Sequence, residues 1–361
     1  NNRLRKDKRL RTDNPPGDKL QTFKATGPAE EAETIVDRIQ GLLGEGADLS
    51  QIAIFYRAHW LSRAIEQVLK EKGIPYDIVG GLSFFERREI KDLLAYLRVL
   101  VNPLDDVSME RIVNVPPRGL GKQSIEKLRG LAQQHGMSLR EAVAVPELHA
   151  GLSAKAKKSL SQLAFTLETA QQNSVHKGAH GALATILEGT EYLNYATGLG
   201  DPEDIAREEN IQELVSDVVT FDEDIGEGLA GYLQHVSLLT SADRGADDGP
   251  RVQMMTVHAA KGLEFDHVFV AGLEEGVFPS MRALDDKDGV EEERRLMYVA
   301  LTRGRRTLFL SCARERMVAG QMERMQPSRF WREIPADCVE TWQAVWHSFE
   351  AEGGGDAEWS V

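Results

Sequence analysis

The stretch Val252-Gln-Met-Met-Thr-Val-His-Ala-Ala-Lys-Gly-Leu-Glu-Phe-Asp-His-Val-Phe-Val270 decides the fold. An apolar run over 252–257 passes through small and charged residues, and a second apolar run covers 268–271. Runs this short and this continuously apolar suit strands buried on both faces of a parallel sheet. Between them, Ala259, Ala260 and Gly262 leave the backbone open to close approach by a ligand. His258 and Lys261 are able to donate to phosphate oxygens, and Glu264 to accept from a pair of hydroxyls. A loop at a strand end is where open α/β sheets place their ligands. Singly, each residue also has a plain use: His258 in a turn, Lys261 as a solvated charge, Glu264 as a helix cap. The unbroken string from Thr256 to Phe265 is harder to explain that way.

The same alternation extends upstream. Residues 20–26 have strand character, and Pro28 opens a helix whose apolar positions Ile35, Val36, Ile39, Leu42 and Leu43 share one face. A buried strand over 52–56 precedes a helix with Leu61, Ile65 and Leu69 in line. A strand over 74–79 ends at Gly80-Gly81, and the next helix, carrying Ile90, Leu93, Leu94, Leu97 and Leu100, stops at Asn102-Pro103. Strands alternating with helices imply a parallel α/β sheet. From 104 to 241 the alternation gives way to helical patterns at 125–131, 156–167, 183–187, 211–219 and 229–239. After a polar, Asp/Gly-rich stretch at 241–250, strands resume at 252–257, 268–271 and 307–311. The expected organisation is a linker at 1–19, an α/β domain at 20–103 and 248–337, an all-helical insertion at 104–247, and a tail at 338–361. That tail, with Trp342, Trp346 and Trp359 around Gly353-Gly-Gly355, reads as a short amphipathic helix and a frayed end.

Composition narrows the class. With 42% apolar and 28% charged residues the chain is ordinary globular protein, not a disordered or fibrous one. Two cysteines, Cys312 and Cys338, cannot build a disulfide framework and no zinc spacing exists, so a reducing, cytoplasmic setting and no metal site are expected. No apolar run is long enough to span a bilayer, and no membrane role is expected. A net charge of −14 argues against a uniformly cationic nucleic-acid binder, but phosphate contact needs only a local cationic track. Residues 1–11 carry six basic side chains against Asp7, and Asn14-Pro-Pro-Gly17 follows, which reads as a linker and not as a natural start. No Gly-x-x-x-x-Gly-Lys-Ser/Thr phosphate loop is found along the chain.

Three further segments carry charge at telling places. Glu291-Glu-Glu-Arg-Arg-Leu-Met-Tyr-Val-Ala-Leu301 reads as a helix with acids at its start and a packing face of Leu296, Val299 and Ala300. Arg303, Arg305 and Arg306 follow at its end, where they would also complement the helix dipole. In Gly80-Gly-Leu-Ser-Phe-Phe-Glu-Arg-Arg-Glu-Ile-Lys-Asp92, Arg87 and Arg88 stand at a helix N-terminus against the dipole, which favours a ligand role for Arg87 over a purely structural one. In Asn114-Val-Pro-Pro-Arg-Gly-Leu-Gly-Lys122, Gly119 and Gly121 expose backbone N–H groups before a helix, and Arg118 and Lys122 add charge; a plain turn is the alternative.

Together the strings at 256–265 and 291–306 resemble two motifs of the UvrD/PcrA/Rep family of superfamily 1 DNA helicases, and the resemblance runs over about 18–337. It implies a RecA-like domain of P-loop-NTPase type, called 2A in that family, interrupted by the helical 2B insertion. By that resemblance His258 and Lys261 touch the backbone of single-stranded DNA, as does Arg87, and Glu264 contacts the nucleotide sugar. Arg303 matches the arginine that reaches the γ-phosphate. Arg118, Gly119, Gly121 and Lys122 match an element riding on duplex DNA. ATP and Mg²⁺ are the implied cofactors, with the phosphate loop and the Mg²⁺ ligands in domains 1A and 1B, which this chain does not contain. The implied partners are single-stranded DNA, the junction with duplex, those two domains and repair proteins; the implied setting is a bacterial cytoplasm, at the nucleoid. Two departures from the pattern stand out: Gly304 where the family has Ala, expected to loosen a helix end, and His59-Trp60 where it has Asn and a small residue. The rivals are a non-catalytic DNA-binding module and a piece of a RecB/AddA-type helicase–nuclease.

Overall fold

The computed structural model describes residues 17–198, 200, 203–241, 249–286, 288–318 and 320–341. The three tail tryptophans and nearly all of the basic linker lie outside the described residues. Seven strands form one sheet: β1 (Leu20–Ala25), β2 (Ile52–Tyr56), β3 (Tyr76–Ile78), β4 (Val252–Thr256), β5 (Phe265–Val270), β6 (Gly304–Ala313) and, after a hairpin, β9 (Val339–Thr341). Their order is β3-β4-β2-β5-β6-β1-β9 and every pairing is parallel. The hairpin consists of β7 (Glu315–Val318) and β8 (Gln321–Arg324), paired antiparallel.

A parallel sheet must be covered on both faces, and the central strand shows how. All five residues of β2 are buried. Ile52, Ile54 and Tyr56 point into a core shared with Ile35 and Ile39 of α1 (Pro28–Gly44) and Ile65 and Leu69 of α2 (Ser62–Glu71). Ala53 and Phe55 point to the opposite face, where Met297 and Ala300 of α12 (Gly289–Leu301) and Phe278 and Phe330 close the second core. On α12 the fully buried residues are Glu293, Met297 and Ala300; of the expected face of Leu296, Val299 and Ala300, Ala300 is in the core and Leu296 packs half-buried against it. A buried triad pins the hairpin: Arg316, 2% exposed, bonds Glu31 of α1 at 2.5 Å and Glu274 at 2.7 Å. Burial alone would push the Glu274 carboxyl upward in pKa, and the guanidinium beside it opposes that.

Between α3 (Arg88–Val101) and β4 the described residues hold helices and no strand: α4 (Asp106–Ile112), α5 (Lys122–Gln134), α6 (Leu139–Ala144), α7 (Ala154–Thr190), α8 (Tyr192–Thr197), α9 (Asp204–Asp224) and α10 (Gly228–Ser241). The separate patterns at 156–167 and 183–187 lie on α7, which breaks at Gly178 (φ 70°); there Asp222 accepts from the N–H groups of Ala179 and His180. The helix α3 (Arg88–Val101) was grouped with the strands by sequence alternation, but its buried residues from Ile90 to Leu100 sit in the helical core with Leu160, Leu183 and Tyr232. Its apolar face found partners beyond residue 104, which local periodicity cannot report.

Among the described residues, hydrogen bonds and ion pairs of α9 tie the helical body to the sheet. Arg63 of α2 grips Glu213 and, at 2.7 Å, Asp217, to which the Tyr232 hydroxyl also donates at 2.9 Å. Arg87 donates to Asn210 at 2.7 Å. The Ser216 hydroxyl meets the hairpin, donating to the Met317 carbonyl at 3.4 Å and accepting from the Gly320 N–H at 3.3 Å. Among the described residues no helix is long and apolar enough to cross a membrane.

Candidate functional site

The residues expected to carry chemistry gather at the two opposite ends of the sheet's strands, each called an edge below. At one, β2 and β4 end together: Tyr56 pairs with Thr256, and the Val257 N–H donates to the Tyr56 carbonyl at 3.0 Å. Arg57 and His258 therefore emerge side by side. His258 is exposed at the start of the crossover to β5. Desolvation by the surrounding chain, then the neighbouring Arg57 charge, hold its pKa below the usual imidazole value. Lys261, also exposed, lies three residues on, and Gly262 supplies the positive φ of 89° that turns the chain back toward β5. Ala260 faces inward, buried in the core against the sheet, which explains why a small residue stands there.

At the other edge, β5 and β6 begin together. Phe265 pairs with Gly304, and the Phe265 N–H donates to the Arg303 carbonyl at 2.9 Å. This register sets Glu264 beside Arg303 although 39 positions separate them. The Arg303 guanidinium reaches the Val299 carbonyl (3.2 Å), the Leu263 carbonyl (3.1 Å) and the Thr302 hydroxyl (3.0 Å). Among the described residues these hydrogen-bond partners are neutral, and no carboxylate pairs with it. Glu264 is about half exposed and accepts from Arg305 Nε at 3.3 Å. Arg305 and Arg306 belong to β6 and lie near Glu264 and Asp266, and so do not serve the dipole of α12. Gly304 likewise opens β6, three residues past the end of α12 at Leu301, so it loosens no helix end.

Two expected ligand arginines are structural. Arg87 is 7% exposed and donates to Asn210, to the His59 carbonyl at 3.1 Å, to the Ser62 hydroxyl at 3.2 Å and to the Leu82 carbonyl at 3.4 Å. Burial depresses its pKa, and its carbon lies 5.3 Å from the Phe84 ring centre. Arg118, also 7% exposed, donates to the Ile112, Val113 and Pro116 carbonyls and to the Tyr96 hydroxyl at 2.6 Å. Both guanidinium groups, expected to contact DNA phosphates, are buried and spend these donors within the protein. Arg118 instead stiffens the loop before α5, helped by Asn114, which accepts from the Arg118 N–H at 2.7 Å. What that loop shows to solvent is Gly119 (φ 74°), Gly121 and Lys122, at the N-terminus of a 13-residue helix.

Arg57, beside the His258–Lys261 loop, is not among the residues expected from the sequence. Its signal was available: an arginine directly after a fully apolar strand marks that strand's exit edge.

The family of UvrD-like helicase C-terminal domains matches residues 1–315. The chain belongs to that family. Among relatives, the UvrD-like chain is 39% identical over 350 residues to the ATP-dependent DNA helicase PcrA of Bacillus subtilis strain 168. It is 37% identical over 345 residues to the PcrA helicase of Staphylococcus epidermidis, and 36% identical over 346 residues to DNA helicase II of Haemophilus influenzae. Each match takes in 94% of this chain and 47% of the relative, so the chain spans about half the length of the curated relatives it matches. The parallel sheet with helices on both faces is the α/β architecture that the RecA-like expectation named.

Proposed function

We propose that this chain is the closing half of the motor in an ATP-dependent DNA helicase working 3′ to 5′. ATP would sit between the β5–β6 edge and domains outside this chain, which would supply the phosphate loop and the Mg²⁺ ligands. Arg303 would stabilise charge on the transferring phosphoryl group, and its fixed, planar fork suits that better than lysine. Glu264 would accept from the sugar hydroxyls. At the opposite edge His258 and Lys261 would hold the backbone of single-stranded DNA. The Gly119–Lys122 turn, with exposed N–H groups and a cation at a helix start, would take a duplex phosphate. Arg87 and Arg118 have no contact with DNA in this reading.

The observation that carries the proposal is the β5–β6 register, which sets an uncancelled guanidinium beside a half-exposed carboxylate at one sheet edge. A purely DNA-binding module has no use for that pair. The test is ATP turnover by this chain with and without single-stranded DNA, then with the preceding domains of a PcrA-type helicase added in trans. No turnover alone and partial recovery in trans is the expected result. DNA-stimulated turnover by the chain alone would sink the split-motor reading.

A further inference from the structure

One buried carboxylate beside Arg57 has no place in the reading above. Glu293, 3% exposed, holds Arg57 in a fork: Arg57 Nε donates to both carboxylate oxygens at 2.9 Å and Nη2 donates to Oε1 at 2.7 Å. The Ser280 hydroxyl donates to the same oxygen at 3.4 Å. Surface pairs on the same helix, such as Arg295 with Glu292, are half exposed at both partners and one-toothed. The Arg57–Glu293 fork differs in being buried on the acid side, bidentate and 236 residues apart in sequence. Such pairs fix geometry strongly, because breaking one leaves a desolvated charge without its partner.

The two ends of this fork lie on different parts of the machinery. Arg57 leaves β2 next to His258. Glu293 lies in the second turn of α12, and that helix leads straight to Arg303, whose Nε is bonded to the Val299 carbonyl of the same helix. A 13-residue helix is a rod of about 20 Å. Displacing it at Glu293 carries Val299, and with it the perch of Arg303.

We propose that Arg57 and Glu293 are positioning residues that carry occupancy of the His258–Lys261 loop by DNA phosphate to Arg303 at the opposite edge of the sheet. The inference rests on the helicase reading. A phosphate arriving beside His258 competes for the donors of Arg57. The fork then re-forms in a new geometry, α12 follows, and Arg303 exchanges its carbonyl partners for the nucleotide. Neither residue touches the reacting phosphoryl group.

The test uses the full-length helicase that carries this chain. ATP turnover is measured with and without saturating oligo-dT, together with oligo-dT affinity, for wild type, Glu293→Gln, Arg57→Gln and the double variant. The expected result is an about tenfold fall in the ratio of stimulated to basal turnover in each single variant. Because the two act as one unit, the double variant should lose no more than either single. Arg294→Ala, which removes the neighbouring α12 arginine and its pairs with Glu291 and Glu333, should leave the ratio intact. Equal losses with and without DNA, or additive losses in the double variant, would overturn the proposal. Should Arg57→Gln fail to fold, because it leaves the buried Glu293 carboxylate without its partner, Glu293→Gln alone decides, since it removes that buried charge and Arg57 keeps 24% of its side chain in solvent. A wild-type ratio of one would sink the helicase reading itself, before any variant is compared.

Discussion

Arg303 and Arg87 carry the same side chain at helix ends in the same domain, yet the structure treats them oppositely. At the β5–β6 edge, Arg303 rests on two carbonyls and a hydroxyl, all neutral and all replaceable by an anion. Beneath α3, Arg87 is sealed between the sheet and α9, spending its donors on Asn210, Ser62 and two carbonyls. The first arrangement leaves charge available. The second uses charge to join two bodies. Charge alone in a sequence does not tell these apart; what the donors already hold does.

Substituting each arginine sharpens the contrast. Arg303→Ala should lower ATP turnover of the full-length protein by roughly 10³–10⁵ while the urea midpoint stays at the wild-type value. A drop under tenfold would mean that Arg303 faces no phosphoryl group. Arg87→Ala should do the reverse. It leaves Asn210 and Ser62 buried with lost partners and opens the seam to α9, which costs about 3 kcal/mol. The urea midpoint should fall accordingly, and the oligo-dT affinity of the folded fraction should not change. A loss of affinity without loss of stability would restore Arg87 as a DNA contact.

The sequence made most of the sheet legible because buried parallel strands are short, uninterrupted apolar runs. Ile52–Tyr56 is found with the bounds the pattern predicts. What escaped has little apolar signal. β9 is a three-residue edge strand with two exposed residues, and β8 is exposed throughout. The strand expected at 74–79 shrinks to Tyr76–Ile78, because at the opposite edge of the sheet β3 pairs on one side only. At the site, Glu264 and Arg303 were legible as strings, but their adjacency comes from strand register. The burial of Arg87 is not legible because its decisive partner, Asn210, lies 123 positions away. That of Arg118 is not legible because its partners are mostly backbone carbonyls, which sequence does not display.

A smaller effect tests the acidic neighbour of Arg303. If Glu264 receives sugar hydroxyls, Glu264→Ala should raise the KM for ATP about tenfold, in keeping with loss of hydrogen bonds to a charged group, and leave kcat within about twofold. The same substitution frees Arg305, whose Nε now meets Glu264 at 3.3 Å. A fall in kcat with KM unchanged would assign Glu264 to holding the β5–β6 edge in shape and not to the sugar.

The smallest effect concerns His59, whose backbone carbonyl accepts from both Arg87 and Ser62. Burial, then the Arg87 charge, then His258 lower its imidazole pKa from 6.5 to about 4. The sign follows from proton uptake. Between pH 6.5 and about 4 the unfolded chain binds a proton that the folded chain refuses, so stability is full above 6.5 and is lost as pH falls through that window. Glu66 and Glu213 run the other way, since burial raises their pKa values and the folded state takes their protons first. The whole-protein pH profile therefore mixes both signs. Comparing wild type with His59→Gln isolates the imidazole, because the variant keeps the carbonyl that Arg87 uses. The urea midpoint of wild type should decline more than that of the variant between pH 7 and pH 5. Parallel profiles would mean that the Arg87 seam does not press on His59, and that the two bodies meet more loosely than the four donors of Arg87 indicate.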